Sequence, residues 1–280
     1  MLQPTRRNFL GAGLTTLAGA AGTFTYARTI EPHWFDVVHL DVPLKKLPDA
    51  FAGFTIAQIS DIHFGPYMGP AEIEPSIDAI LALDADVIVI TGDIVSRIEH
   101  GEPDMIVQSL SRLRARHGVF AILGNHDWWS GASAVVEALR GAGITVLSNR
   151  SHPLQRDGQT LYLAGVDDVW CGKHDLTRTL AGIPPVAAVV ALVHEPDYAD
   201  VVANDARVIL QLSGHSHGGQ VRVPFVGGIW YPPWARKYPC GIYHLGDLAL
   251  YTNRGVGMAS WQVRFACRPE VTLVTLKSAN

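Results

Sequence analysis

Charge is scarce in this chain of 280 residues. Only 17% are Asp, Glu, Lys or Arg, and the net charge is −4 with a pI near 6.3. That balance gives no case for specific nucleic-acid binding. Cysteine is scarcer: Cys171, Cys240 and Cys267 are odd in number and lack C-x-x-C spacing. A complete disulfide framework is excluded, and no zinc role follows for them. No repeat or low-complexity tract occurs, and no linker stands out within 30–280. The long uncharged stretch, 8–27, is rich in Gly, Ala and Thr. It is barely long enough to span a bilayer and too weakly apolar to do so comfortably.

That stretch follows Arg6 and Arg7, with Phe9 and Leu10 close behind. A basic start, a mild apolar run and small residues near Ala27 describe an export signal. The paired arginines resemble the twin-arginine signal, which sends folded proteins across the membrane, although Gly11 stands where that signal usually has lysine. Residues 1–30 are therefore expected to be the signal segment and 31–280 one mature domain. Cleavage near Ala27 and retention as a weak anchor both stay open.

What the chain has in plenty is apolar residues, at 48%, enough for a large core. They fall in short β-rich runs ending in polar residues: "FTIAQISDIH" (54–63), "DVIVITGD" (86–93), "GVFAILGNHD" (118–127), "LYLAGVDD" (161–168), "VAAVVALVHEP" (186–196) and "ARVILQLSGHSH" (206–217). Continuous apolar runs of this length suit strands buried on both faces. Segments 70–84, 102–116 and 131–143 read as helices between them, which argues for α/β layering. The last third, including 248–257 and 261–276, is strand-like.

Almost every run ends in a potential ligand. Asp61 and His63 follow the first, Asp93 the second, and Asn125 and His126 the third; His194 ends a later run, and His215 and His217 end "LSGHSHGGQ". In open α/β sheets the functional crevice lies beyond the carboxyl ends of the strands. Two alternate histidines at a strand end should project to the same side and offer neutral imidazoles to one metal centre. Oxygen and nitrogen donors without thiolate suit Mn, Fe or Zn rather than Mg or Ca.

Asp61-x-His63, Gly92-Asp93, Gly124-Asn125-His126-Asp127, His194 and Gly214-His215-x-His217 resemble the calcineurin-like metallophosphoesterases, over residues 54 to about 257. The stretch 237–257 is similar to the exported bacterial branch of that family. The resemblance implies a four-layer α/β/β/α sandwich with a dinuclear centre of two divalent metal ions. Asp61, His63 and His217 would hold one ion, Asn125, His194 and His215 the other, and Asp93 would bridge. A bridging hydroxide would be the nucleophile and His126 the general acid, with Asp127 either orienting it or serving the turn. The centre keeps about one residual positive charge, which favours a phosphoryl anion.

The protein Ser/Thr phosphatases of the superfamily carry Asp-Arg where this chain has Ser96-Arg97, which argues against a phosphoprotein substrate. Arg97 and Arg254 are candidate anion contacts or surface ion-pair partners. Segment 225–239, aromatic and proline-rich, is either a lip meeting a glycolipid or cell-wall substrate or a packed connection between strands. His33, His39, His100, His117, His152, His174 and His244 match no motif and are read as structural. The expected function is a metal-dependent phosphodiesterase, exported to the periplasm or the outer face of the cytoplasmic membrane. Its partners would be the twin-arginine export machinery and a small-molecule or cell-envelope phosphoester, with the membrane close by. The alternatives are a pyrophosphate-cleaving hydrolase acting on a UDP-diacylglucosamine type of lipid, and a non-catalytic metal-bound scaffold.

Overall fold

A computed structural model describes residues 6–97, 102–259 and 261–279, with side chains described from residue 15 onward. His100 and the side chains of Arg6 and Arg7 lie outside the described set. The glycine-rich N-terminal stretch is helical, as α1 (Arg6–Thr29). Each interior glycine costs a helix about 1 kcal/mol relative to Ala. Even so, the described part of α1 is exposed through Thr25, with Tyr26 half-buried and Ala27 buried.

The first sheet begins with β1 (Asp36–Leu44), β2 (Thr55–Ile59), β3 (Val87–Thr91), β4 (Val119–Ile122) and β5 (Thr145–Val146). Between its strands run α2 (Pro70–Ala82), α3 (Glu102–Leu110) and α4 (Asn125–Gly141). The second sheet takes β6 (Arg150–Arg156), β7 (Gln159–Gly165), β8 (Ala188–Leu192) and β9 (Val208–Ser213), with only two short helices, α5 (Leu176–Thr179) and α6 (Ala199–Val202), on its outer side. A small hairpin, β10 (Arg222–Val223) and β11 (Gly227–Gly228), interrupts the chain before β12 (Gly241–Leu245) and β13 (Leu248–Thr252) complete the second sheet. Finally β14 (Glu270–Ser278) returns to the first sheet, between β1 and β2.

The strand orders are β1-β14-β2-β3-β4-β5 and β12-β13-β9-β8-β7-β6. One apolar cluster, including Ile77, Ile90, Ile106 and Leu139, packs the first sheet under α2, α3 and α4. A second, including Phe54, Val89, Leu163 and Leu212, fills the space between the sheets. A third, including Val189, Tyr198 and Val202, covers the outer face of the second sheet. This is the four-layer α/β/β/α sandwich expected from the sequence. Strands β3, β8, β9 and β13 are buried at every position, because each has apolar neighbours on both faces.

Several boundaries differ from the sequence reading. The helix expected over 102–116 stops at Leu110. Leu113 turns back into the core, and Arg112 reaches Glu74 and Asp78 on α2 at 2.8 and 2.6 Å. The helix expected from 131 begins six residues earlier, at Asn125, and breaks at Gly131, whose φ is 103°. Of the strand expected over 261–276, the part from Glu270 joins the sheet as β14, and Phe265 makes an isolated bridge to Val221. Each ligand-bearing strand also ends before its ligands, which places Asp61, His63, Asp93, His194 and His215 in loops, Asn125 and His126 in the first turn of α4, and His217 in a 3-10 turn.

Candidate metal centre

The parallel strands β2, β3 and β4 of one sheet and β8 and β9 of the other deliver their carboxyl ends to one edge of the sandwich. Gln58 fastens the two sheets beneath that edge: its buried amide donates to Thr91 Oγ1 and to the carbonyl of Ser213, each at 2.9 Å. Beyond the strand ends the backbone turns left-handed at Asp61, His63, Asp93, His215 and His217, with φ of 51°, 56°, 52°, 71° and 49°. Such conformations cost non-glycine residues energy and cluster at functional sites, where the surroundings hold them. The glycines beside them are steric requirements. A Cβ on Gly124 would collide with the Asp93 carboxylate, and one on Gly214 with Ser60 and Asp61.

Asp61, His63, Asp93 and His217 form one buried group of potential ligands, and Asp93, His194 and His215 form another. Asp93 belongs to both. Its Oδ2 lies 3.6 Å from His63 Nε2 and 3.3 Å from His194 Nε2, while its Oδ1 accepts the backbone N–H of His126 at 2.9 Å. His63 Nε2 and His217 Nε2 are 3.0 Å apart, and His194 Nε2 and His215 Nδ1 are 3.1 Å apart. Two nitrogens each about 2.0–2.1 Å from a shared ion stand about 3 Å from one another, so both spacings fit a ligand pair. His215 and His217 do not act from one side, as strand alternation suggested. They lie past the end of β9 and face opposite halves of the centre.

The surroundings prepare these nitrogens. His194 Nδ1 donates to the Thr91 carbonyl at 2.7 Å, which frees Nε2, and His215 Nε2 donates to the Pro233 carbonyl at 2.9 Å, which frees Nδ1. Burial pushes His63 and His215 down to about 3, and burial, His63 and Arg264 hold His217 well below the usual histidine range. These three imidazoles are neutral, as a metal requires. Burial opposes charge on His194, yet Asp93 overcomes it and raises His194 well above its ordinary value. Asp61 is pushed up to about 6 by burial, with His194 pulling the other way. Asn125 adds a buried side-chain oxygen without a hydrogen-bond partner, a donor that a cation would satisfy. The residues fit a divalent centre.

His126 sits at the edge of the cluster. Its Nδ1 donates to the Ser96 carbonyl at 3.1 Å, and its ring meets those of His63 and Trp129 edge-on at 4.7 and 4.8 Å. Asp127 spends its carboxylate on the backbone N–H groups of Val95 and Gly124, at 3.0 and 2.9 Å, so it serves the turn and the start of α4. Arg254 lies away from the cavity wall, paired with Glu270 and, at 3.2 Å, with Asp36. Arg97 is exposed and does not line the cavity either.

The cavity over the centre holds about 540 Å³ and is mostly apolar. Asp93, Asn125, His126, His215 and His217 form its floor, while Trp129, Trp170, Trp230 and Trp261 stand around it. Segment 225–239 both borders the cavity and packs inward. Ile229, Trp230 and Pro232 line the cavity, and Ala235 is packed in the interior. Sequence reasoning missed Trp129, which lies in the first turns of α4, and Trp170 and Trp261, which come from two separate loops. It also missed Arg264, wholly buried behind His217 and held by the carbonyls of Arg254, Gly255, Gly257 and Cys267. No local motif marks any of these residues.

Comparison with known proteins places this geometry. The family model for calcineurin-like phosphoesterases matches residues 54–219. An uncharacterized metallophosphoesterase, YkuE of Bacillus subtilis, is 37% identical over the whole of both chains. The phosphodiesterase YaeI of Escherichia coli is 33% identical over 97% of this chain and 98% of its own. The UDP-2,3-diacylglucosamine pyrophosphatase LpxG of Chlamydia trachomatis is 26% identical over 94% of this chain and 96% of its own.

Proposed function

Because the chain belongs to the calcineurin-like phosphoesterase family and is a metal-dependent phosphoester hydrolase, we propose that it cleaves phosphodiesters at the cluster centred on Asp93. The observation that carries this reading is the sharing of Asp93 between two groups of buried ligands. Asp61, His63 and His217 would hold one divalent ion and Asn125, His194 and His215 the second, with Asp93 shared between the two groups. Two such ions, when bound, clamp phosphoryl oxygens and make hydroxide available at neutral pH. The chain supplies the rest. His126, fixed through Nδ1 by the Ser96 carbonyl, holds a proton at Nε2 for the departing alkoxide. The tryptophan walls exclude water and receive the organic part of the ester.

Protein stripped of metal should fail to hydrolyse bis-p-nitrophenyl phosphate and should recover with Mn, Fe or Zn. Recovery should depend on pH with a definite sign. Protons on Asp61 and His194 compete with metal, and both leave as pH rises. Loading is therefore expected to strengthen from about pH 5 to pH 8, as Asp61, pushed up to about 6, gives up its proton. Metal binding that does not change over that range, or activity absent with all three metals, counts against the reading.

A second substrate is favoured by the tryptophan-walled cavity and by the likeness to LpxG: the pyrophosphate bond of a lipid-bearing nucleotide sugar. Turnover of a UDP-linked diacyl sugar against that of a simple diester separates the two.

We further propose that the protein is exported through the twin-arginine route, on the strength of Arg6 and Arg7. A centre built from residues between Asp61 and His217 exists only in the folded chain, and folding before export lets the cell choose the metal. Replacing both arginines with lysine should leave the protein in the cytoplasm; unchanged delivery to the cell envelope sinks this reading.

A further inference from the structure

The hairpin β10–β11 places apolar side chains where nothing among the described residues covers them. Phe225 is exposed at 110% of its reference surface and Val226 at 79%, with Pro224 before them. Phe225 also holds a left-handed backbone at φ 65°, a conformation suited to Gly or Asn and unfavourable for an aromatic residue. Neither packing nor backbone preference accounts for a phenylalanine there. The chain carries straight on from this tip into the active-site wall, through Ile229 and Trp230, which are themselves exposed at 52% and 60%.

A second element lies beside the hairpin. Arg222 N–H donates to the Phe265 carbonyl at 2.9 Å, and the neighbouring Arg264 N–H donates to the Ala27 carbonyl at the end of α1 at 2.8 Å. Arg28 also reaches Gln262 at 2.8 Å. On α1, exposed Leu17 and Phe24 stand seven residues apart on one face. Thr23, Thr25 and Thr29 donate their hydroxyls to carbonyls four residues back, so the helix presents few unsatisfied polar groups. Among the described residues no helix is long and apolar enough to cross a membrane. A helix of this kind can still lie at an interface.

From these placements we infer that the tip of the hairpin, Phe225 and Val226, inserts into a lipid bilayer surface and sets the mouth of the tryptophan-walled cavity against it. A convex apolar thumb two side chains wide offers little of the flat area of roughly 800 Å² per partner that a stable protein interface buries. A bilayer needs no complementary socket, and exposed tryptophans such as Trp230 and Trp261 suit its headgroup level. The inference rests on the hydrolase reading only for what the surface delivers, a phosphoester carried by a lipid. Binding itself is measured without turnover.

The test is co-sedimentation of the full chain with vesicles of phosphatidylethanolamine and phosphatidylglycerol. Phe225→Asn with Val226→Ser should lower the partition coefficient roughly 10- to 100-fold, the scale of withdrawing two apolar side chains from lipid. Hydrolysis of soluble bis-p-nitrophenyl phosphate should be unchanged, since neither residue lines the cavity. Asn suits the left-handed position, so the variant should melt no lower than the parent, and Phe225→Leu should keep vesicle binding. Equal binding by parent and double variant overturns the inference, as does a parent that stays in the supernatant. Self-association of the parent that the double variant abolishes, without vesicle binding by either, assigns the tip to a contact between copies instead.

Discussion

His126→Ala is expected to keep both metal ions and to lose roughly 10²–10⁴-fold in turnover, the usual worth of general-acid help. The contact that ties this residue to the centre is its backbone N–H, which donates to Asp93 Oδ1 at 2.9 Å and survives truncation of the side chain. The imidazole is only partly buried, whereas the grouped ligands are buried throughout. Metal content measured on the purified variant should therefore match that of the parent. The loss should also depend on the leaving group. A diester that releases an acidic phenol needs little protonation, while an alkyl diester needs a full proton, so the alkyl ester should suffer more. A non-catalytic scaffold has no use for a proton donor at this position. An unchanged rate on both esters would remove His126 from the mechanism and return the scaffold to consideration.

The legible part of the molecule was the part written in short-range patterns. Buried strands announce themselves as apolar runs, and β3, β8 and β9 fall inside the runs read from the sequence. The glycines of the Gly-Asp, Gly-Asn-His and Gly-His motifs clear space for site groups: Gly92 for the His194 ring, Gly124 for the Asp93 carboxylate, and Gly214 for the Ser60 hydroxyl and Asp61 carboxylate. What stayed hidden depends on distant contacts. Arg112 leaves the helical path because Glu74 and Asp78 wait on α2, which no local propensity encodes. The tryptophan walls meet only because α4 and separate loops converge above the two sheets. Arg254 reads as an anion contact or an ion-pair partner, and its partners Asp36 and Glu270 stand 218 and 16 residues away in the chain. The left-handed turns at the ligands were equally invisible, since Asp and His, though enriched in that conformation, adopt it only where the surrounding structure requires it.

Asp93→Asn should have the larger effect, because it touches both halves of the centre at once. The amide keeps the shape and can still accept the His126 N–H, so the loop has little reason to move. It removes the negative charge shared by His63 and His194, whose Nε2 atoms lie 3.6 and 3.3 Å from Oδ2. That charge raises the affinity of His194 for its proton in the metal-free state, and it would meet both cations in the loaded one. A neutral amide is a poor substitute between two divalent ions. We expect metal content below one ion per chain and turnover reduced by roughly 10³-fold or more, beyond the 10–100-fold typical of losing an outer-shell partner. The parent should gain thermal stability when metal is added, since the ions bind only the folded chain, and the variant should lose that gain. His217→Ala supplies the contrast, because His217 belongs to one group only and its loss should spare the ion held by His194 and His215. If Asp93→Asn retains two ions at the parent's affinity while His217→Ala loses both, the bridge lies elsewhere, and the division of ligands around Asp93 must be redrawn.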